Sequence, residues 1–196
     1  MSDRDTGTFA AGHVFLKWLK RPNQSAWQML PLHETQLEKG SATNHVPSPY
    51  KSYGIGLSPR YLDSTFAKKF PTPKEKQAFI IKQKAWIEDY ALFCSLRDQF
   101  KTDDWRTWPQ DIRNRETNAL RKWKETLRGP IDSYIVQQWQ LHQSLYSLRA
   151  EAKAMKIALI GDLPFYPSVQ SPLVWANQSV FLMNDDGSLP FVSGVP

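Results

Sequence analysis

Hydrophobic residues recur along the chain with two spacings, one helical and one typical of buried strands. From residue 9 to residue 20 the apolar positions follow the helical spacing, which predicts a helix that Pro22 ends. Short apolar runs over residues 26–32 and 157–163 each predict a buried strand. A helix followed by a buried strand is typical of α/β folds with a parallel sheet.

The chain between the two predicted strands divides into a loop-like part and a helical part. Residues 33–61 are rich in turn residues and predict a long connection, which in a compact domain is usually functional or disordered. Helices are predicted over residues 73–102, 111–128 and 130–156. The predicted order is therefore helix, strand, long loop, helical insertion, helix, strand and loop.

Length and composition limit the fold class. The chain has 196 residues, with 41% hydrophobic and 22% charged residues, which predicts one folded domain and excludes general disorder. A closed (β/α)₈ barrel typically needs about 250 residues. Because much of this chain is predicted to form helices outside such a barrel, a closed barrel is not expected.

Charge and cysteine content narrow the partners and the compartment. The net charge is +6, but the lysines are scattered among glutamines and acids, so a solvated helix face is favoured over a nucleic-acid surface. The single cysteine, Cys94, lies on the apolar side of a predicted helix and is expected to be buried. One cysteine allows no internal disulfide, which favours a reducing compartment for the protein. No membrane span or signal-peptide pattern is found, which predicts a cytoplasmic protein with no membrane partner.

Two loops are the candidate places for chemistry, because ligands of parallel α/β folds bind beyond the carboxyl ends of the strands. Asp162 ends the second predicted strand and is either a site carboxylate or a turn-capping residue. Tyr50, with Ser52 nearby, suits a sugar subsite or an ordinary turn. Trp175 offers a ring for stacking on a sugar or an anchor for its loop.

No catalytic constellation is complete in the chain. Retaining glycoside chemistry needs two carboxylates about 5–5.5 Å apart, and Glu34 is the one acid that could pair with Asp162. Nothing around Glu34 indicates a raised pKa, so it is not expected to be catalytic. The four histidines lack metal-ligand spacing. No catalytic residue, metal site or cofactor is therefore predicted.

A series of motifs resembles the 4-alpha-glucanotransferases (amylomaltases or disproportionating enzymes). In chain order the motifs are WQMLPL, SPYKSY, Trp108-Pro109, the pair Gln137 and Gln143 around Trp139, GDLPFY, SPLVWAN and VSGVP. The resemblance implies an α/β fold that is a partial TIM (β/α)₈ barrel with a helical insertion, not closed in this chain. Residues 1–64 would hold the first barrel elements and the glucan-site loop, residues 65–130 the insertion, and residues 131–196 a helix, a barrel strand and its loop.

The resemblance also implies a set of substrate-binding residues and two departures from the family. The implied glucan contacts are Tyr50, Ser52, Asp162, Trp175 and Asn177. Gln170 stands where the family usually has an aspartate that bonds the sugar near the cleavage point. The family's opening His-Pro-Thr-Ser strand, nucleophilic aspartate, acid/base glutamate and further aspartate have no counterpart here.

The implied function is transfer of alpha-1,4-glucan segments between oligosaccharides through a covalent glucosyl-enzyme, without a cofactor. The chain is expected to be an amino-terminal part of such an enzyme, inactive alone, with a complementary carboxyl-terminal chain as a possible partner. One alternative is a non-catalytic glucan-binding or partner-complementing fragment, and a weaker one is an interaction protein that uses its basic helical insertion. The strand at 157–163 is expected to leave an edge or an apolar face uncovered, which favours self-association.

Overall fold

A computed structural model describes residues 7–184 and 186–191. The helices and strands follow in the order α1 (Phe9–Lys20), β1 (Ala26–Gln28), β2 (His33–Thr35), β3 (Ser52–Leu57), α2 (Ser64–Ala67), α3 (Pro73–Lys82), α4 (Ile87–Phe100), α5 (Gln110–Arg113), α6 (Thr117–Thr126), α7 (Arg128–Ala154), β4 (Ala158–Ile160) and α8 (Pro172–Ala176). Three single 3₁₀ turns lie at Pro59–Tyr61, Trp105–Thr107 and Gln178–Val180.

The predicted strands pair in parallel, as an α/β fold requires. β1 pairs with β4 in register, with Trp27 opposite Leu159. The predicted extents, residues 26–32 and 157–163, and the predicted burial are wrong, because each strand has three residues and shows an exposed–intermediate–exposed pattern. Within the described residues β4 has β1 as its one strand partner, so the sheet is open and its outer residues stay near solvent.

The predicted loop over residues 33–61 is irregular over most of residues 36–51, but it contains an antiparallel pair of strands at its two ends. β2 pairs with β3, and an irregularity separates the pairs His33–Leu57 and Thr35–Ser52. Two of the three glycines in this stretch lie inside β3, where Gly54 and Gly56 both take φ of +73°. A Cβ atom on Gly56 would lie 2.3 Å from the ring of Tyr90, so only glycine lets the strand approach that ring.

The helices form the main body of the molecule. The predicted helix over 73–102 is two helices, α3 and α4, and the one over 111–128 is also two, α5 and α6, with Arg115 between them at φ +58°. Thr72 and Glu75 form a reciprocal capping box that begins α3. The first predicted helix matches α1 at both ends, and α7 matches the third helix within two residues.

Helix α4 lies at the centre of the core. Tyr90, Phe93 and Leu96 are fully buried, as the helical stripe predicts, and so is Cys94. Burial also raises the pKa of the Cys94 thiol, so the thiol stays protonated and unreactive. None of the helices in the described part of the chain combines the length and the apolar character that crossing a bilayer requires.

Candidate functional site

The fold brings Tyr50 and Asp162 together, although 112 residues separate them in the sequence. Tyr50 lies just before β3, and Asp162 lies two residues after β4. The Tyr50 hydroxyl donates a hydrogen bond of 2.8 Å to Oδ2 of Asp162. Both side chains are accessible, so the pair forms a polar spot at the carboxyl end of β4.

The pair has a definite electrostatic character. The hydrogen bond from Tyr50 to Asp162, followed by weaker contributions from burial and carboxylate charge, raises the pKa of the Tyr50 phenol. Tyr50 therefore stays a neutral hydrogen-bond donor at physiological pH. A neutral phenol beside a carboxylate offers both a donor and acceptors, the combination that recognises sugar hydroxyl groups.

Exposed apolar side chains follow Asp162 in the sequence, and their exposure could not be predicted from the sequence pattern. Leu163, Phe165 and Tyr166 follow Asp162 and expose 72%, 88% and 70% of their surface. Such exposure is unusual for three large side chains so close together in sequence. The motif GDLPFY pointed to this loop, but nothing in it shows which side chains leave the core.

Ser52 does not face this surface. The residue is completely buried in β3, and its Oγ has no hydrogen-bond partner among the described residues. Its carbonyl oxygen accepts a hydrogen bond of 2.9 Å from the Ser168 N–H. The expectation of a direct glucan contact at Ser52 is therefore corrected: in this structure the residue supports the site from beneath through its backbone.

Trp175 is also a core residue. Its ring is fully buried, its indole N–H donates to the Ile112 carbonyl at 3.2 Å, and the Arg115 guanidinium lies 4.3 Å from the ring centroid. No face of the ring is open for stacking on a sugar, so the sugar-platform interpretation is corrected in favour of the anchor. Trp175 is buried because it lies on the side of helix α8 that faces the core, and a single tryptophan in a loop-like segment did not indicate which side that would be.

Asn177 is exposed at the end of α8. Its Nδ2 donates a hydrogen bond of 2.8 Å to the Leu173 carbonyl, one turn earlier in the helix. This contact terminates the helix and orients the side chain. The structure thus leaves Asn177 accessible but gives it a local partner, and its role in glucan binding stays a prediction.

Gln170 has internal partners. Its N–H donates to the Ser168 Oγ at 3.1 Å, and Gln170 directly follows the residues that seat this loop on β3. Burial acts to raise the pKa of Asp104, but hydrogen bonds from Arg106 and the Gln170 side chain lower it overall. The Gln170 side chain therefore lies beside Asp104.

Glu34 belongs to the scaffold. Its carboxylate accepts hydrogen bonds from Arg97 Nη1 at 2.8 Å and from the Tyr90 hydroxyl at 2.9 Å, and Nε2 of His45 lies 3.4 Å away. Buried and paired in this way, the carboxylate is not available as an acid or nucleophile. Within residues 7–184 and 186–191, no group of three or more histidine, cysteine or acidic residues could hold a metal ion.

Known proteins similar to this chain agree on one family. The sequence model of the 4-alpha-glucanotransferase family matches residues 58–196. The chain is 30% identical to the 4-alpha-glucanotransferase of Thermus thermophilus, over 93% of this chain and 43% of that protein. It is 35% identical to the chloroplastic/amyloplastic 4-alpha-glucanotransferase of Solanum tuberosum, over 57% of this chain and 19% of that protein.

A solved structure is also similar in fold. The amylomaltase from Streptococcus agalactiae in complex with acarbose superposes with a TM-score of 0.78 at 21% identity, covering 92% of this chain and 44% of that one. The chain thus spans less than half the length of the structure and of the bacterial relatives that it matches. The motif VSGVP, residues 192–196, lies outside the described residues.

Proposed function

Because the chain belongs to the 4-alpha-glucanotransferase family, we propose that it forms one wall of a site at which alpha-1,4-glucan segments are transferred between oligosaccharides. The observation that supports this proposal best is the hydrogen bond between Tyr50 and Asp162 at the carboxyl end of β4. Two loops from distant parts of the sequence converge there on one accessible polar pair, the position at which α/β folds bind ligands.

The surroundings of the pair suit an oligosaccharide. Sugars present hydroxyl groups at their edges and apolar C–H groups on their faces. Tyr50 and Asp162 offer a donor and acceptors for the edges, while the exposed rings of Phe165 and Tyr166 offer apolar surface for the faces. A solved amylomaltase of the same fold is in complex with acarbose, which supports a glucan-like ligand for this surface.

The transfer reaction needs catalytic carboxylates, and the resemblance to the family places none of them in residues 1–196. A retaining mechanism uses one carboxylate as nucleophile and a second as acid/base. Glu34 is buried against Arg97, and Asp162 by itself cannot serve as both nucleophile and acid/base. We therefore propose that a polypeptide of these 196 residues has no transferase activity alone. A complementary carboxyl-terminal polypeptide would supply the acids and complete a barrel around β1 and β4.

The remaining expectations belong to the same proposal. The three-part division, with barrel elements in residues 1–64, a helical insertion in residues 65–130 and the second barrel part in residues 131–196, stays a prediction. So does a cytoplasmic location, which rests on the sequence pattern.

Transferase activity is tested with maltotriose. The polypeptide of residues 1–196 should leave maltotriose unchanged in a product analysis by chromatography. Adding the carboxyl-terminal part of a bacterial relative should yield glucose and longer oligosaccharides. Products from the 196-residue polypeptide alone would show that the inactivity proposal is wrong. Binding without turnover, even after complementation, would favour the alternative of a non-catalytic glucan-binding protein.

Glucan binding is tested by calorimetry with maltoheptaose. Tyr50→Phe removes the hydroxyl and Asp162→Asn removes the charge, and each should weaken binding by about 10- to 100-fold, the usual effect of losing a hydrogen bond to a charged group. Tyr146→Phe is the matched control, because Tyr146 lies on α7 and packs against His142 with a ring separation of 5.8 Å. Equal binding by all three variants and the unsubstituted protein would place any glucan site elsewhere.

A further inference from the structure

The loop after β4 is attached to the β2–β3 pair by very few polar contacts. In the part of the chain that the structure describes, three hydrogen bonds join residues 161–170 to residues 33–57. One is the bond from Tyr50 to Asp162, and the other two both involve Ser168. Ser168 therefore makes two of the three hydrogen bonds between the loop that carries Asp162 and the segment that carries β2, Tyr50 and β3.

Ser168 makes hydrogen bonds at this junction with its hydroxyl and with its backbone N–H. Its hydroxyl donates to Oε1 of Gln36 at 2.6 Å and accepts from the Gln170 N–H at 3.1 Å, while its own N–H donates to the Ser52 carbonyl at 2.9 Å. The residue is only 9% exposed. Because the hydroxyl has both a donor and an acceptor partner, its position is fixed relative to Gln36 and Gln170 together.

Gln36 is itself held on both sides. Its N–H donates to the Lys51 carbonyl at 2.9 Å, and its carbonyl accepts from the Val46 N–H at 2.9 Å. Lys51 directly follows Tyr50, so the backbone of Gln36 is hydrogen-bonded to the residue next to that tyrosine. The side chain of Gln36 thus extends from a fixed backbone to the Ser168 hydroxyl.

Close packing at Gly54 reinforces the junction. A Cβ atom added to Gly54 would lie 3.1 Å from the Leu173 side chain and 3.3 Å from the Pro167 side chain. The loop after β4 therefore lies directly on the backbone of β3, with no space for another side chain between them. Movement of the loop along β3 would have to break the contacts of Ser168.

We propose that Ser168 and Gln36 are positioning residues, whose hydrogen bond holds the loop after β4 on the β2–β3 pair at the spacing that lets Tyr50 reach Asp162. This inference deepens the proposed function, and its consequence for glucan binding rests on that function. Neither residue touches the ligand. Each acts by fixing the distance between two groups that belong to loops more than 100 residues apart in the sequence.

The direct test follows the ionisation of Tyr50 by NMR of protein labelled with ¹³Cζ-tyrosine, with Tyr50→Phe to assign the signal. In the unsubstituted protein the midpoint should lie above the ordinary value for tyrosine, about 10, because of Asp162. Ser168→Ala, Gln36→Leu and Asp162→Asn should all move the midpoint toward about 10. Ser168→Thr, which keeps the hydroxyl, should restore it.

Ser144→Ala is the matched control. The Ser144 hydroxyl donates a buried hydrogen bond of 2.7 Å to Asp63 between residues 81 apart, and it joins α7 to the start of α2 rather than the loop after β4 to the β2–β3 pair. Its loss should lower stability to a similar extent without moving the Tyr50 midpoint. A midpoint that is unchanged in both Ser168→Ala and Gln36→Leu would overturn the proposal, whatever their stability.

Glucan affinity separates this inference from the proposed function. If the protein binds maltoheptaose, Ser168→Ala should raise the dissociation constant about 3- to 10-fold, whereas Ser144→Ala should not change it. If the unsubstituted protein fails to bind maltoheptaose, the proposed function fails. The NMR midpoints still decide whether Ser168 and Gln36 hold Tyr50 against Asp162.

Discussion

The helical body around α4 and the open end around β4 treat their large apolar side chains in opposite ways. In the helical body, Phe93 and Leu96 are fully buried. At the open end, Leu163 and Phe165 expose 72% and 88% of their surface within five residues of the β4 strand. The first region buries its own hydrophobic surface, whereas the second leaves apolar surface exposed, and covering that surface would be energetically favourable.

The two regions also differ in how they use carboxylates. Glu34, on β2, is buried against the helical body and tied to Arg97 and Tyr90 of α4. Asp162 at the open end stays accessible and meets one phenol. The difference indicates a division between a scaffold, whose polar groups hold strands to helices, and a site, whose polar groups remain available to a ligand.

The largest effect is expected from Arg97→Met. The substitution leaves Glu34 as a buried carboxylate without its cation, and removing one partner of a buried ion pair costs about 3–5 kcal/mol of unfolding free energy. Arg97 and Glu34 expose only 8% and 5% of their side chains, so water cannot take over the missing contact. Urea unfolding measures the change.

Lys124→Met provides the control for that ion pair. Lys124 and Glu88 are 3.2 Å apart but expose 45% and 59% of their side chains, so their pair should contribute less than about 1 kcal/mol. Similar losses in the two variants would contradict the division between a buried scaffold and its surface.

A pH-dependent loss of stability is expected from His142 on α7. Burial among aromatic rings, and secondarily the charge of Lys82, lowers the pKa of His142 from 6.5 to about 4. The unfolded chain binds a proton near pH 6.5, whereas the folded chain resists it until about pH 4. The stability from the neutral imidazole is therefore complete above pH 6.5 and is lost as the pH falls toward 4, up to about 3 kcal/mol.

His142→Phe isolates this contribution. Phenylalanine keeps an aromatic ring beside Phe79, whose ring centroid lies 5.3 Å from that of the imidazole, but it cannot be protonated. The difference in unfolding free energy between the two proteins, measured from pH 7 to pH 4, should therefore change with pH. A constant difference over this range would show that His142 does not titrate as an isolated buried imidazole.

A smaller effect is expected where the β2–β3 pair meets α4. Gly56→Ala would place a methyl group 2.3 Å from the Tyr90 ring, which is held by hydrogen bonds to Glu34 and Gln138. Gly40→Ala has a similar φ of +80° but meets nothing within 4 Å. Both variants share the backbone strain of an alanine at positive φ. The unfolding free energy of Gly56→Ala should therefore be lower than that of Gly40→Ala by about 1–3 kcal/mol, the cost of overpacking. Thermal unfolding of the two variants compares them directly.

Helices with a regular apolar stripe could be predicted from the sequence. The helix at residues 9–20 and the long helix α7 were predicted because their apolar residues recur at helical spacing and because prolines or caps mark their ends. The parallel pairing of β1 and β4 followed from the helix–strand order, and the pairing is confirmed. The two helices depend on residues that are close in sequence, whereas the strand pairing depends on the order of the elements.

Features that depend on the whole fold could not be predicted in the same way. The glycines of β3 were interpreted as turn residues, but Gly56 is needed for the approach to Tyr90, which lies 34 positions away. Trp175 was given a surface role because its helix is too short to show which side is buried. The contact of Tyr50 with Asp162 became visible only when the two loops were placed together.

The smallest effect on stability, but a clear one on association, is expected from replacing Leu163 and Phe165 by serine in the 196-residue polypeptide. Each side chain is mostly exposed, so the unfolding free energy should change by no more than about 0.5 kcal/mol. The removal of adjoining apolar surface should reduce self-association in sedimentation or size-exclusion measurements. Phe70→Ser is the matched control, because Phe70 is 75% exposed but follows α2, far from β4 in the sequence. If Phe70→Ser reduces association as much as the double variant, the open end has no special role and apolar exposure anywhere on the surface is sufficient.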